Sequence, residues 1–205
     1  MITIVDYGMG NLGSIKNMFK YLGIDSCIES DPDKIKNASK ILLPGVGSFD
    51  AAMQKINTNA LNEVLNEKAL KEQVPVLGIC LGMQLLTQSS AEGNLSGLGW
   101  IDAETLSFAQ SIEKGYKVPH MGWNIVRQVQ SSELTKDFEN FEETRFYFVH
   151  SYYVKVRKEE NSILKTSYDI EFDSAIQKDN IFGAQFHPEK SHKFGMKLFE
   201  NFGSI

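Results

Sequence analysis

The chain has 205 residues, 42% of them hydrophobic and 23% charged, which is enough to enclose a substantial core. Its formal net charge of -5, with acids and bases interspersed, excludes nucleic acid and anionic membrane surfaces as the main partner. No apolar run approaches the roughly 18 residues of a membrane span. The two cysteines, Cys27 and Cys80, fit neither a disulfide framework nor metal-ligand spacing. The chain opens on the strand-like Met1-Ile-Thr-Ile-Val-Asp6 without a basic leader, so the expectation is a cytoplasmic protein holding no metal.

From the amino terminus, strand and helix patterns alternate. Ile2 to Val5 is a short apolar strand. Leu12, Ile15, Phe19 and Leu22 then recur at helical spacing until Gly23 stops them. A strand pattern follows from Ile24 to Ile28, and Asp31-Pro32 reads as a helix start with proline at its first position. A strand at Ile41-Leu42-Leu43, helical patterns across Ala51 to Leu70 and a strand at Val74 to Ile79 complete the first half. Such alternation predicts an α/β fold with a mostly parallel central sheet and helices on both faces. After residue 97 shorter extended segments take over, at Lys117 to Val129, Arg145 to Val149, Tyr152 to Val156 and Ala175 to Gln177, and antiparallel pairing is expected there. A last strand, Ile181 to Phe186, leads into His187-Pro188-Glu189, and a closing helix runs from about Ser191 to Phe202. With no linker or repeat, residues 1–205 are expected to form one domain.

Chemistry concentrates at Val76-Leu-Gly78-Ile-Cys80-Leu-Gly82. An isolated cysteine is usually a buried, inert thiol. Here an apolar strand runs into a glycine-flanked cysteine and then a helix, a strand-turn-helix elbow that presents a nucleophile at a helix N-terminus. A base is supplied by His187. Pro188 biases His187 to an extended backbone, so His187 and Glu189 project to one side, where Glu189 can hold the second imidazole nitrogen. Cys80, His187 and Glu189 are therefore a candidate triad. In a doubly wound sheet the strands leading to Cys80 and His187 can converge at one edge. The loop Pro44-Gly45-Val46-Gly47-Ser48-Phe49 reads either as a plain glycine turn or as half of an oxyanion hole, with Val46 and Gly47 donating beside the N–H of Leu81. A rival lies in the first turn, where Gly8-Met-Gly10-Asn-Leu-Gly13 matches a dinucleotide fingerprint with Glu29 and Asp31 downstream.

Gly-Ile-Cys80-Leu-Gly-Met-Gln84 together with Phe-His187-Pro-Glu189 resembles the class I glutamine amidotransferase family, and the resemblance covers nearly the whole chain. It implies a flavodoxin-like fold with a smaller antiparallel region in the second half, glutamine hydrolysis through a cysteine thioester, and no cofactor. It also implies that Gln84, Ser151 and Tyr152 hold L-glutamine. Five further segments, among them Pro119-His-Met-Gly-Trp-Asn124 and Phe-Val-His150-Ser-Tyr152, resemble the branch whose members hand ammonia to a separate (β/α)8-barrel cyclase. The implied assembly is a heterodimer with Asn11, Tyr147 and Lys190 facing the partner. Two ammonia acceptors stay open, one in histidine biosynthesis and one in sugar amination for surface polysaccharides.

Overall fold

A computed structural model describes residues 1–205 except Asn59 and Lys114. The first half contributes β1 (Ile2–Val5), α1 (Leu12–Tyr21), β2 (Ser26–Glu29), α2 (Pro32–Ile35), β3 (Ile41–Leu43), α3 (Phe49–Ile56), α4 (Leu61–Asn66), β4 (Val76–Ile79) and α5 (Leu81–Leu85). The second half adds β5 (Ser89–Ser90), β6 (Ala103–Ser107), α6 (Phe108–Ser111), β7 (His120–Ile125), β8 (Arg127–Gln128), β9 (Arg145–His150), β10 (Tyr152–Val156), β11 (Ser162–Tyr168), β12 (Ile170–Lys178), β13 (Ile181–Ala184) and α7 (His192–Ser204).

Local chemistry sets several boundaries. The Asp31 carboxylate accepts from the Asp33 N–H at 3.0 Å with Pro32 at the first helical position, which starts α2. Gly23, at φ +69, takes the left-handed turn that ends α1. The helical pattern from Ala51 to Leu70 divides into α3, α4 and a π turn over Glu67–Lys71, and Ala60 at φ 61 marks the break before α4.

The parallel part of the sheet runs β2-β1-β3-β4-β13, the strand order of flavodoxin-like folds. Beyond β13 the same sheet continues through β12, β10 and β6 with antiparallel pairing, and β5 closes it in parallel. The second half is thus an extension of the central sheet, with β7 and β9 pairing apart from it as a two-stranded antiparallel ribbon. Period-2 alternation sends Ile2, Ile4, Leu42, Leu77 and Ile79 to the face covered by Ile15 and Phe19 of α1 and Leu198, Phe199 and Phe202 of α7. Val5, Ile41, Leu43 and Val76 point to the other face, against Phe49, Ala52, Met53 and Ile56 of α3. The Phe19 and Phe199 rings, 4.5 Å apart, clamp α1 to α7. Each such fully buried ring contributes about 1.5–3 kcal/mol over an exposed one. Among the described residues, no helix is long and apolar enough to cross a membrane.

Candidate active site

The C-terminal ends of β4 and β13 lie side by side, paired in parallel with Ile79 opposite Ala184. Each strand delivers one reactive group just past its end. After β4 the chain turns sharply at Cys80, whose φ of 53 and ψ of -110 form a conformation that costs an L-residue about 1–3 kcal/mol. The flanking glycines make the turn possible by close approach. A Cβ on Gly78 would meet the Gly82 carbonyl oxygen at 2.5 Å, and a Cβ on Gly82 would meet the Leu43 carbonyl oxygen at 1.9 Å. Leu81 opens α5, so its N–H has no intrahelical partner.

After β13, His187 keeps an extended backbone at φ -105 and ψ 95, and Pro188 opens a 3-10 turn. That local geometry lets His187 Nδ1 and Glu189 Oε1 meet at 2.8 Å, with the side chains only 3% and 2% exposed. Nε2 is buried and, among the described residues, has no hydrogen-bond partner of good geometry; the same holds for Glu189 Oε2. Burial disfavours a charge on His187, but the Cys80 sulfur and the Glu189 carboxylate outweigh it and raise the imidazole to about 10. Ser191, fully buried, pins the turn by donating to the His187 carbonyl and accepting from the Tyr147 N–H of β9.

Cys80 and His187 open into a cavity of about 320 Å³, within the range of about 300–1,000 Å³ typical of small-molecule clefts. Val46, Gly47, Leu81, Gln84, Ser151 and Tyr152 line it as well. Asn11, Tyr147 and Lys190 do not. Asn11 is exposed and caps α1 by accepting from the Ser14 N–H at 3.5 Å, while Lys190 Nζ sits 5.8 Å above the Tyr147 ring. A larger hollow of about 750 Å³, bordered by Gln88, Lys158 and Asp179, is lined by no cysteine or histidine among the described residues.

Several contributors escaped the sequence reading. Among the described residues, Glu92 is the one carboxylate lining the cavity; it accepts from the Phe49 N–H at 3.0 Å, and burial outweighs that bond to raise its pKa. The buried Tyr7 hydroxyl donates to the Pro44 carbonyl, tying the first turn to the glycine loop. Its pKa is pushed up, first by burial and then by the Cys80 sulfur. Gln185, just past β13, donates to Cys80 Sγ at 3.7 Å. Nothing local marks Glu92 or Gln185, because their partners come from other segments.

The glycine fingerprint in the first turn serves a different purpose from phosphate binding. A Cβ on Gly10 would press on Pro44 and the Gly45 nitrogen at 3.1 and 3.4 Å, so this glycine lets the turn lie against the 44–49 loop. The third glycine of a dinucleotide site permits close helix-strand packing. Gly13 instead is exposed with nothing within 4 Å of its Cβ position. Among the described residues, no group of three or more His, Cys, Asp and Glu could hold a metal ion.

The chain is similar to known proteins along nearly its whole length. The chain is 54% identical over 202 residues to "Imidazole glycerol phosphate synthase subunit HisH 2" of Methanococcus maripaludis, covering 98% of each chain. It is 45% identical over 207 residues to "Imidazole glycerol phosphate synthase subunit HisH" of Bdellovibrio bacteriovorus, covering 100% of each. A solved glutamine amidotransferase superposes over 100% of both chains with a TM-score of 0.76 at 15% identity, a likeness of fold. The family model for "Glutamine amidotransferase class-I" matches residues 3–204. With a cysteine elbow, a histidine-glutamate turn and that near-complete match, the chain belongs to the class I glutamine amidotransferases.

Proposed function

We propose that the chain is the glutaminase subunit of an imidazole glycerol phosphate synthase, with Cys80, His187 and Glu189 as its triad. The observation that carries the reading is the junction of β4 and β13, which puts Cys80 and the unpartnered His187 Nε2 into one cavity. The Cys80 thiolate attacks the side-chain carbonyl carbon of glutamine. Negative charge gathering on the carbonyl oxygen is met by the N–H of Leu81 and by N–H groups of the loop at Val46 and Gly47. His187 gives its proton to the departing nitrogen, so ammonia leaves and a thioester remains. Water, deprotonated by His187, then releases glutamate, and Glu189 holds the imidazole in one orientation throughout.

Substrate recognition follows from what the cavity presents. Glu92 supplies the negative charge that an α-ammonium group requires. Gln84 spends its amide N–H groups on the Tyr152 carbonyl at 3.2 Å and on Gln185 Oε1 at 3.1 Å. It therefore offers glutamine an acceptor oxygen. Ser151 and Tyr152 complete the holding segment.

Ammonia escapes or is protonated in bulk water, so a glutaminase of this kind works docked on the enzyme that consumes it. Met121, Trp123 and Ile125 alternate along β7 and stand 61%, 44% and 50% exposed, an apolar row beside Tyr147 and His192. This row, flanked by Lys190 over the Tyr147 ring, forms with Asn11 the docking face for a separate (β/α)8-barrel cyclase in a heterodimer. The relatives' names support histidine biosynthesis as the destination of the ammonia.

Complementation of a histidine auxotroph that lacks its own glutaminase subunit, with the matching cyclase co-expressed, tests the proposal. Growth restored by the parent and lost with Cys80→Ala is the expected result. Glutamine hydrolysis without growth would move the chain to the sugar acceptor, and hydrolysis retained by Cys80→Ala would overturn the mechanism.

A further inference from the structure

A line of hydrogen bonds runs inward from a half-buried residue to the sulfur of Cys80, and every donor in it has its direction fixed. The line starts at Asn124 in β7. Its Nδ2 donates to the Ser167 carbonyl at 3.0 Å while its Oδ1 accepts from the Ile125 N–H at 2.8 Å, so the amide has one orientation. Nδ2 also faces His120 Nε2 at 3.2 Å, which makes that nitrogen an acceptor and puts the proton of His120 on Nδ1. His120 Nδ1 lies 2.9 Å from His150 Nε2, and His150 Nδ1 lies 2.7 Å from the Tyr152 carbonyl. Because a carbonyl can only accept, His150 carries its proton on Nδ1 and accepts at Nε2. Both rings are thus neutral and share one tautomer.

The Tyr152 carbonyl is the point where this arm meets a second one. Gln84 Nε2 donates to it, which fixes the amide of Gln84, and the same nitrogen donates to Gln185 Oε1. With its oxygen committed, Gln185 must turn its Nε2 toward Cys80 Sγ, 3.7 Å away. Gln185 is fully buried and Gln84 nearly so. A buried amide costs free energy unless its hydrogen bonds are made. Gln185 meets that cost at both ends of its amide, accepting from Gln84 and donating to the Cys80 sulfur, where a leucine of similar size would make neither bond.

We propose that Gln185 donates a hydrogen bond that favours the thiolate of Cys80, and that Gln84, held by the Tyr152 carbonyl and the His120–His150 arm, is a positioning residue that keeps the Gln185 donor aimed at the sulfur. This rests on Cys80 being the nucleophile. It adds a source of thiolate stabilisation separate from His187, and a second duty for Gln84 besides holding glutamine. A neutral donor is suited to the role, since it remains in place whether His187 holds or has given up its proton.

The test uses the rate of Cys80 alkylation by iodoacetamide, followed by peptide mass spectrometry so that Cys27 is resolved separately. Alkylation takes place in the cavity that lodges Cys80 but needs neither glutamine turnover nor the partner, so the readout is separate from glutaminase activity. Gln185→Met removes the donor at similar volume, and the rate at pH 7 is expected to fall at least about tenfold, the lower end of what a hydrogen bond to a charged group contributes. The rates of parent and variant should converge at high pH, where the thiolate forms without help; a purely steric change would leave a constant gap. Gln84→Met, which removes no contact to the sulfur, should lower the rate in the same direction. The double variant should lose no more than Gln185→Met alone, because both act through one donor.

An unchanged rate in Gln185→Met, or additive losses in the double variant, would overturn the proposal. Should Gln185→Met fail to fold, the side-chain amide resonance of Gln185 in the parent gives the answer. It is expected to move as Cys80 titrates, and a resonance that stays fixed refutes the contact. A parent that reacts with iodoacetamide as described and yet hydrolyses no glutamine beside its partner would instead count against the glutaminase reading.

Discussion

Glu189→Gln removes one charge from the proposed triad and almost no volume. In the parent, Oε1 lies 2.8 Å from His187 Nδ1, and both side chains are nearly sealed from solvent. Water therefore screens the pair little, and a hydrogen bond to a charged group in such a place is worth about 1.5–3 kcal/mol. Glutamine at this position can still accept from Nδ1, so the orientation of the ring survives while the charge that favours imidazolium is lost. At about 1.36 kcal/mol per decade of rate, kcat should fall about 10- to 150-fold. Glu189 does not line the cavity, so KM for glutamine should stay within about twofold. The pH dependence has a definite sign. Glu189 is one of the groups that hold His187 up at about 10, so without it the imidazolium is lost at lower pH, and the alkaline limb of the kcat profile moves down. Steady-state release of glutamate from the partner-bound protein measures all three quantities. A variant with kcat within twofold of the parent and an unmoved alkaline limb would refute the role assigned to Glu189.

Three other outcomes follow from packing, docking and protonation. Gly82→Ala places a Cβ 1.9 Å from the Leu43 carbonyl oxygen, so β3 or α5 must move. The cost should be about 2–3 kcal/mol, seen as a fall of roughly 5–10 °C in Tm; an unchanged Tm would contradict the close approach. Trp123→Ala should weaken cyclase binding about 30- to 1,000-fold in titration calorimetry, the effect of deleting an interfacial anchor worth about 2–4 kcal/mol, and an unchanged Kd would move the docking face elsewhere. Burial lowers His120 to about 4, and it lowers His150 to about 3 against the opposing bond to the Tyr152 carbonyl. The unfolded chain takes up these protons near pH 6.5, where the folded one does not. Stability from the pair is therefore complete above about pH 6.5 and declines as pH falls toward 4, with a slope approaching about 2.7 kcal/mol per pH unit. Urea midpoints between pH 7 and 4.5 should show this, and His120→Asn should about halve the slope. A flat profile would mean the histidines are not held neutral.

What could be read from the sequence is what short-range sterics decide. Gly78 and Gly82 around Cys80 announce a turn that only close backbone contacts and a left-handed φ can make. The His187-Pro-Glu189 contact spans two residues, and an extended backbone before proline suffices to predict it. Nearly continuous apolar runs at β1, β3 and β4, alternating with helical patterns, point to parallel layers, because a strand buried on both faces needs such a run. The mixed composition of Ala103–Ser107 and Ser162–Tyr168 hid β6 and β11, whose burial is set by neighbours far along the chain. Only the tertiary structure decided that β13 lies beside β4, that Gln185 reaches the sulfur, and that Glu92 enters the cavity. Each of these depends on contacts between segments distant in sequence, whose free energy comes from the assembled core and leaves no local pattern in the residues that make them.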